Sequence, residues 1–188
     1  EIAVTIGKVD EVVEIELVNY FIKGNIALTK VDEDYPDNKL SGAVFEVYSD
    51  TNGDGKLDKD DTLLGEMKEL DGGVYQMSEL RFGKYLVKET KAPTGFVLDE
   101  NVYSVSVEEN GKTYTVENKA GVGFINAAQK GSLKIVKTSS DGKVEGFSFR
   151  VTGVDYDKTF KTDKNGEIVI EGLRIGDYTV SEVNDKAS

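Results

Sequence analysis

The chain has 188 residues, of which 38% are hydrophobic and 31% charged, a composition and length typical of one or two globular domains. It contains no cysteine and no histidine, which excludes disulfides, thiolate chemistry, Cys/His zinc sites and Ser-His triads. The net charge of −12 argues against nucleic-acid binding, and the absence of any apolar run of about 18 residues argues against membrane insertion.

Short runs of alternating apolar and polar residues follow one another along the chain. They include 13–17, 26–30, 44–48, 85–89, 102–107, 113–117, 133–137, 147–151, 168–170 and 178–182. Turn sequences such as Asp71-Gly72-Gly73 and Asn110-Gly111 separate them, and no long segment has the 3.6-residue period of a helix. The pattern predicts an all-β protein built of tandem Ig-like β-sandwich domains.

Two spaced motifs occur twice. The first begins at Asn19 and recurs 107 residues later (126−19), with the members Asn19, Gly24 and Lys30, then Asn126, Gly131 and Lys137. The second recurs 93 residues later (182−89), with the members Leu80, Gly83, Tyr85 and Glu89, then Leu173, Gly176, Tyr178 and Glu182. A fixed period of this length indicates tandem domains, and the second copy is shorter by 14 residues (107−93).

The repeat divides the chain into three predicted parts. Residues 1–22 supply the C-terminal strands of a preceding domain, and residues 23–128 form a complete domain. Residues 129–188 form an incomplete domain that lacks its last strands. An acidic insertion at 50–62 in the complete domain is near the right size to explain the difference in length.

The predicted strand at 26–30 sets a lysine among apolar residues. Side chains alternate across a strand, so Lys30 shares a face with Ile26 and Leu28 and points into the core. Glu89 and Asn126 are expected to point inward in the same way, as is Asn19 on the run at 13–19. A buried lysine must find a partner or lose its charge.

An amine and a carboxamide in apolar surroundings can condense to an amide and release ammonia. Burial lowers the pKa of a lysine, which makes Lys30 a nucleophile. A buried Glu89 with a raised pKa can hold a proton, polarise the Asn126 carbonyl and pass protons to the leaving group. The alternative is a buried Lys–Glu ion pair with a hydrogen-bonded asparagine, an arrangement that is costly.

Four segments resemble the Cna B-type (SpaA-like, prealbumin-like) domains of surface proteins and pilins of Gram-positive bacteria. They are GNIALTKVD (24–32), LSGAVFEVY (40–48), LRFGKYLVKETKAPTGF (80–96) and GFIN followed by AAQKG (123–131). The stretch 89–96 matches the family signature E-T-x-A-P-x-G-[YF]. Members of this family form a spontaneous intramolecular isopeptide bond, so the resemblance implies a cross-link between Lys30 and Asn126 with Glu89 as its catalyst.

The other candidate residues do not make up a complete set of lysine, glutamate and asparagine. Asn118 competes as a partner for Lys30, although the repeat register favours Asn126. The second copy matches the family at Lys137 and at Glu182, its predicted catalyst, but lacks the Ala-Pro signature after Glu182. The chain holds no asparagine partner downstream for Lys137, and Asn19 is assigned to a preceding domain whose lysine and glutamate the chain lacks, so Lys137 and Asn19 are predicted half-sites.

The acidic insertion fits the twelve-residue calcium loop D-x-[DN]-x-[DN]-G. Its expected ligands are Asp50, Asn52, Asp54, the carbonyl of Lys56, Asp58 through water, and Asp61. Gly55 allows the sharp turn, and the last ligand is Asp where glutamate is preferred. We expect Ca²⁺ as a cofactor and no organic cofactor. The alternative to a calcium site is that this loop is an acidic surface turn.

These features predict a structural stalk or pilin-like segment of an extracellular, cell wall-anchored protein of a Gram-positive bacterium. The protein is not expected to be an enzyme, apart from the single autocatalytic turnover that forms its own isopeptide bond. Its expected partners are neighbouring domains of the same surface protein. The alternative function is an adhesin module that binds a host matrix protein or glycan. A further hypothesis is strand exchange between copies, with Asn19 meeting Lys137 and Glu182 in trans, whereas the plainer interpretation is a piece of a longer array.

Overall fold

The structure, a computed structural model, describes residues 1–183. All regular secondary structure in that range is β-strand, as predicted. Their bounds are β1 (Lys23–Asp32), β2 (Val44–Ser49), β3 (Thr62–Glu66), β4 (Lys68–Asp71), β5 (Val74–Arg81), β6 (Gly83–Lys91), β7 (Val102–Val107), β8 (Thr113–Thr115), β9 (Phe124–Asn126), β10 (Lys130–Val136), β11 (Ser148–Gly153), β12 (Tyr156–Lys161), β13 (Glu167–Arg174) and β14 (Tyr178–Val183). Within residues 1–183, no helix is long and apolar enough to cross a membrane.

Strands β1–β9 form a sandwich of two sheets. One sheet has the order β4-β5-β1-β8, with β9 also paired to β1, and the other has the order β3-β2-β6-β7. Apolar side chains from both sheets share one core, where the rings of Phe45 and Tyr75 meet edge to face with centroids 5.2 Å apart. The all-β sandwich prediction is confirmed.

The first strand of this sandwich lies beside its last ones. β8 runs parallel to the start of β1, and β9 runs parallel to its end, with Lys30 opposite Phe124 and Asp32 opposite Asn126. Because these pairs join the two ends of the sandwich, a covalent bond from β1 to β9 would close a loop around most of it.

Strands β10–β14 repeat part of this arrangement around a second core. β13 pairs with β10 as β5 pairs with β1, and both pairs carry a register shift two residues into the match, at Gly24/Ile26 and Gly131/Leu133. A three-stranded sheet of order β12-β11-β14 lies across the shared core. In the part of the chain that the structure describes, no strand covers the other edge of β10. The end of the predicted 129–188 domain, from residue 184, lies outside the described residues.

Residues 1–22 contain no strand, so the strand predicted at 13–17 is wrong for this structure. Ile15 and Leu17 are exposed, and so is Asn19, contrary to the inward orientation that the alternation predicts. A strand needs a neighbour for its backbone hydrogen bonds, and no described segment pairs with this one. The assignment of residues 1–22 to a preceding domain stays a prediction.

An arginine joins the two groups of strands. Arg174, at the end of β13, donates to both carboxylate oxygens of buried Asp32 at 2.7 and 2.9 Å, and to Asp34 at 2.8 Å. Burial by itself raises the pKa of the Asp32 carboxyl, but hydrogen bonds from Arg174 and from the backbone outweigh it and hold the pKa below its ordinary value. A two-pronged contact of this kind fixes direction as well as distance.

We predict that Arg174→Ala destabilises the protein by about 2–3 kcal/mol, because it leaves the Asp32 carboxylate buried without its charged partner. Urea unfolding measures the difference. The Asp32 contribution is present above about pH 4, where the unfolded carboxyl is ionised, and is lost as pH falls through the lower folded-state pKa. The gap between variant and wild type should therefore shrink in acid.

Arg150→Ala is the matched control, since Arg150 makes a two-pronged pair with Asp157 in which both side chains are more than half exposed. An exposed pair contributes about 0–1 kcal/mol. Equal losses of unfolding free energy in the two variants would show that the Arg174 contact stabilises the protein no more than an exposed ion pair does.

Candidate cross-link site

The three residues predicted to react lie together in the interior. Lys30 on β1 and Glu89 on β6 are 0% exposed, and Asn126 on β9 is 3% exposed. Lys30 and Asn126 belong to adjacent parallel strands and are offset by two residues, which places them on the same face. Glu89 lies opposite Phe45 in the other sheet of the sandwich. The site therefore lies between the two sheets.

The hydrogen bonds connect the three side chains only in part. Lys30 Nζ donates to the carbonyl oxygen of Phe124 at 3.0 Å. Asn126 Nδ2 donates to Glu89 Oε2 at 2.8 Å and also to the carbonyl oxygen of Val97. Glu89 Oε1 and Asn126 Oδ1 are buried without a hydrogen-bond partner. Buried polar atoms without partners are rare and costly, so these two oxygens need an explanation.

Aromatic rings line the site. Lys30 Nζ lies 5.5 Å from the centroid of the Phe124 ring. That ring meets Phe45 at 4.9 Å and Tyr103 at 5.1 Å, both edge to face. These rings keep water from the amine, and removal of water disfavours the charged form of any group beside them.

Burial shifts both titratable groups toward their neutral forms. It lowers the pKa of the Lys30 amine to about 8, against the opposing charges of Glu89, Asp99 and Asp32. It also raises the pKa of the Glu89 carboxyl, although hydrogen bonds from Asn126 and from the Asp99 backbone oppose the shift. A neutral amine and a protonated acid are the forms that amide formation requires.

Asn118, the competing partner for Lys30, has other contacts. Its Oδ1 accepts from the backbone N–H of Ile125, while its Nδ2 donates to the Ile125 carbonyl and to Asp99 Oδ2. Asp99 in turn donates its backbone N–H to Glu89 Oε2 at 2.8 Å. Sequence reasoning missed Asp99, because it follows β6 in a loop where no periodicity marks it.

The second copy brings Lys137 and Glu182 together as an ion pair. Lys137 Nζ lies 3.0 and 3.2 Å from the two Glu182 oxygens, and both side chains are partly exposed. Glu182 faces Phe149 across its sheet, as Glu89 faces Phe45. Asn19 lies in the exposed segment 1–22. The half-site roles of Lys137 and Asn19 and the catalytic role of Glu182 stay predictions.

The acidic insertion is a loop between β2 and β3 that is closed by its own carboxylates. Asp50 Oδ2 accepts from the Gly55 N–H at 3.1 Å, and Asp61 accepts from the backbone of Thr51 and of Asp58. Asp50 is buried, and its Oδ1 has no hydrogen-bond partner. Among residues 1–183, however, no group of three or more Asp, Glu, His or Cys side chains is arranged to hold a metal ion. The calcium site stays a prediction.

The chain matches the SpaA prealbumin-like fold domain model at residues 24–120 and 131–187. Among solved structures it is similar to the Bacillus anthracis TIE protein, with 26% identity over 86% of this chain and 28% of that one and a TM-score of 0.66. It is also similar to GBS52, the minor pilin of Streptococcus agalactiae, with 28% identity over 58% of this chain and 46% of that one and a TM-score of 0.42. For the shaft pilin SpaA of Lactobacillus rhamnosus GG the identity is 16%, the coverage 87% and 89%, and the TM-score 0.43.

The chain thus spans about a quarter of the TIE protein chain and less than half of the GBS52 chain. A search of curated proteins finds none that matches it.

Proposed function

The chain belongs to the family of SpaA prealbumin-like fold domains, and we propose that it is a stalk segment of a Gram-positive surface protein, stabilised by an isopeptide bond between Lys30 and Asn126. Two solved structures similar to it are a minor pilin and a shaft pilin. We assign residues 23–128 and 129–188 to tandem domains, and residues 1–22 to the end of a preceding one. Their partners are neighbouring domains of the same surface protein.

One observation carries the proposal: an amine, a carboxamide and a carboxyl group, each at most 3% exposed, lie on three strands in the interior of one sandwich. The Lys30 amine donates to a backbone carbonyl, which carries no charge to balance an ammonium. An ion pair would place the Lys30 amine on a carboxylate oxygen of Glu89, yet Glu89 Oε1 has no hydrogen-bond partner, and neither has Asn126 Oδ1. Conversion of Lys30 and Asn126 to a neutral amide removes the buried charge.

The reaction needs no atom from outside the site. Neutral Lys30 Nζ attacks Cγ of Asn126 while protonated Glu89 polarises the Asn126 carbonyl oxygen. Glu89 passes its proton to Nδ2, to which its Oε2 is already hydrogen-bonded at 2.8 Å, and then takes one proton from the attacking nitrogen. The bond between Cγ and Nδ2 then breaks, ammonia leaves, and Glu89 ends protonated as it began. This is a single turnover on the chain itself, and the role of the protein is structural.

The rate of this reaction should depend on pH. The neutral fraction of Lys30 falls about tenfold per pH unit below its pKa of about 8, so acid slows the attack. The protonated fraction of Glu89 falls as pH rises through its own raised pKa, so alkali slows proton delivery. Unreacted chain, isolated in denaturant and refolded at a series of pH values, should show a bell-shaped rate of ammonia loss by intact mass. A rate independent of pH would contradict these two roles.

We also propose that the loop at 50–61 binds Ca²⁺, with Asp50, Asn52, Asp54, Asp58, Asp61 and the Lys56 carbonyl as ligands. The buried, unpaired Oδ1 of Asp50 supports this proposal, because an oxygen of that kind needs a cation or a donor. Saturating Ca²⁺ at 100 times its Kd should stabilise the fold by about 2.7 kcal/mol.

Thermal unfolding in EDTA and in Ca²⁺ measures the effect. Asp50→Asn should abolish the stabilisation by Ca²⁺, whereas Asp60→Asn, in the same loop but at no ligand position, should keep it. Identical melting of wild type in EDTA and in Ca²⁺ would refute the site.

The adhesin alternative and strand exchange between copies stay predictions.

A further inference from the structure

Asn118 occupies the place of a missing strand neighbour. β9 has three residues, and its pairing partner is β1. The Asn118 carboxamide bonds the backbone N–H of Ile125 at 2.6 Å and its carbonyl at 2.9 Å, as a paired strand would. It therefore fixes the residue directly before Asn126.

The same side chain is tied to the group proposed as catalyst. Asn118 Nδ2 donates to Asp99 Oδ2 at 2.8 Å, and that oxygen also accepts from the Tyr103 hydroxyl at 2.6 Å. The Asp99 backbone N–H donates to Glu89 Oε2, which accepts from Asn126 Nδ2. The contacts close a ring that runs from Asn126 through Glu89, Asp99 and Asn118 to Ile125.

The chain on the far side of Asn126 is held by a different segment. Val97 donates its N–H to the Ala127 carbonyl at 2.9 Å, and Gln129 donates to the Gly95 carbonyl at 2.8 Å. These bonds do not involve Asn118. Loss of the Asn118 side chain would therefore release the outer edge of β9 at Ile125 and leave the chain after Asn126 anchored.

We propose that Asn118 and Asp99 are positioning residues for the cross-linking reaction, which hold β9 and Glu89 together so that the Asn126 carboxamide faces both Lys30 and Glu89. The inference rests on the proposed isopeptide function. A carboxamide suits the task because it offers an acceptor and two donors in one plane. Aspartate at position 118 has the same shape but no donor for the Ile125 carbonyl, and it would set a carboxylate against Asp99.

The expected effect is on rate, because a misplacement of about 1 Å can slow a reaction about 100-fold. Unreacted chains, refolded from denaturant, are followed by intact mass for loss of one ammonia. Asn118→Ala and Asn118→Asp should lose it at least about 10-fold more slowly than wild type. Asn25→Ala is the matched control, since Asn25 also bridges two strands of the sandwich, through Thr113, and its loss should leave the rate unchanged.

A second pair of variants separates positioning from general damage to the fold. Asp99→Asn keeps an acceptor for Asn118 and Tyr103, whereas Asp99→Ala removes it. We expect Asp99→Asn to react within a few-fold of wild type and Asp99→Ala to react as slowly as Asn118→Ala. This comparison decides the matter even if the Asn118 variants do not refold, as judged by circular dichroism.

Three results would overturn the inference. They are a wild-type rate in Asn118→Ala, equal rates in Asp99→Asn and Asp99→Ala, or a peptide map that joins Lys30 to Asn118. The first two leave ammonia loss and the bond between Lys30 and Asn126 intact in wild type, so the proposed function survives them. The third would also replace Asn126 by Asn118 as the proposed partner of Lys30. A wild-type chain that never loses ammonia would defeat the proposed function and this inference with it.

Discussion

Glu89→Gln should abolish the cross-link and lower the free energy of unfolding by about 4–5 kcal/mol. The proposed bond between Lys30 and Asn126 would close a loop of 96 residue steps (126−30), and the chain-entropy model gives this value for a loop of about 100. Glutamine keeps the shape of Glu89 and can still bond Asn126, but it cannot take up and return a proton. Intact mass detects the missing reaction, and urea unfolding gives the change in stability.

The matched control is Glu108→Gln, which removes an exposed carboxylate just after β7. It should retain the loss of ammonia and change stability by less than about 0.5 kcal/mol. A Glu89→Gln chain that lost ammonia as readily as wild type would show that Glu89 is not the proton carrier.

Pulling on the chain ends should reveal the largest mechanical difference. In the cross-linked protein, force passes from residue 30 directly to residue 126, so the 95 residues between them (126−30−1) cannot extend. A Lys30→Met chain lacks the bond and should release about 300 Å more contour length on unfolding. Single-molecule force spectroscopy measures this length.

Strands β10–β14 provide an internal control in the same experiment, since Lys137 and Glu182 form an ion pair and not a covalent link. Their unfolding should release equal lengths in wild type and in Lys30→Met. Equal total lengths in the two chains would mean that the first sandwich carries no cross-link.

The local alternation of apolar and polar residues predicted most of the side chains that lie in the core. Alternation on β1 predicted that Lys30 points inward with Ile26 and Leu28, and all three are at most 1% exposed. The repeat predicted that the two copies have equivalent strands. β1 pairs with β5 in the same register as β10 pairs with β13, with Gly24 opposite Leu80 and Gly131 opposite Leu173. These features depend on periodicity within one strand or on the spacing between copies, which a single sequence displays.

The misses involve partners that are distant in sequence. Residues 13–17 have the alternation of a strand, but pattern alone does not supply a neighbour, and none pairs with them in the described chain. β9 is too short for alternation to reveal it. The sequence leaves Asn118 open as a partner for Lys30, because it cannot show that the Asn118 carboxamide is hydrogen-bonded to Ile125 and Asp99.

The mass of the intact wild-type protein tests the central claim most directly. The account predicts a mass below the sequence mass by one ammonia. It also predicts one branched peptide after proteolysis, joining the segment of Lys30 to that of Asn126. A mass equal to the sequence mass, with both segments recovered as separate linear peptides, would contradict it.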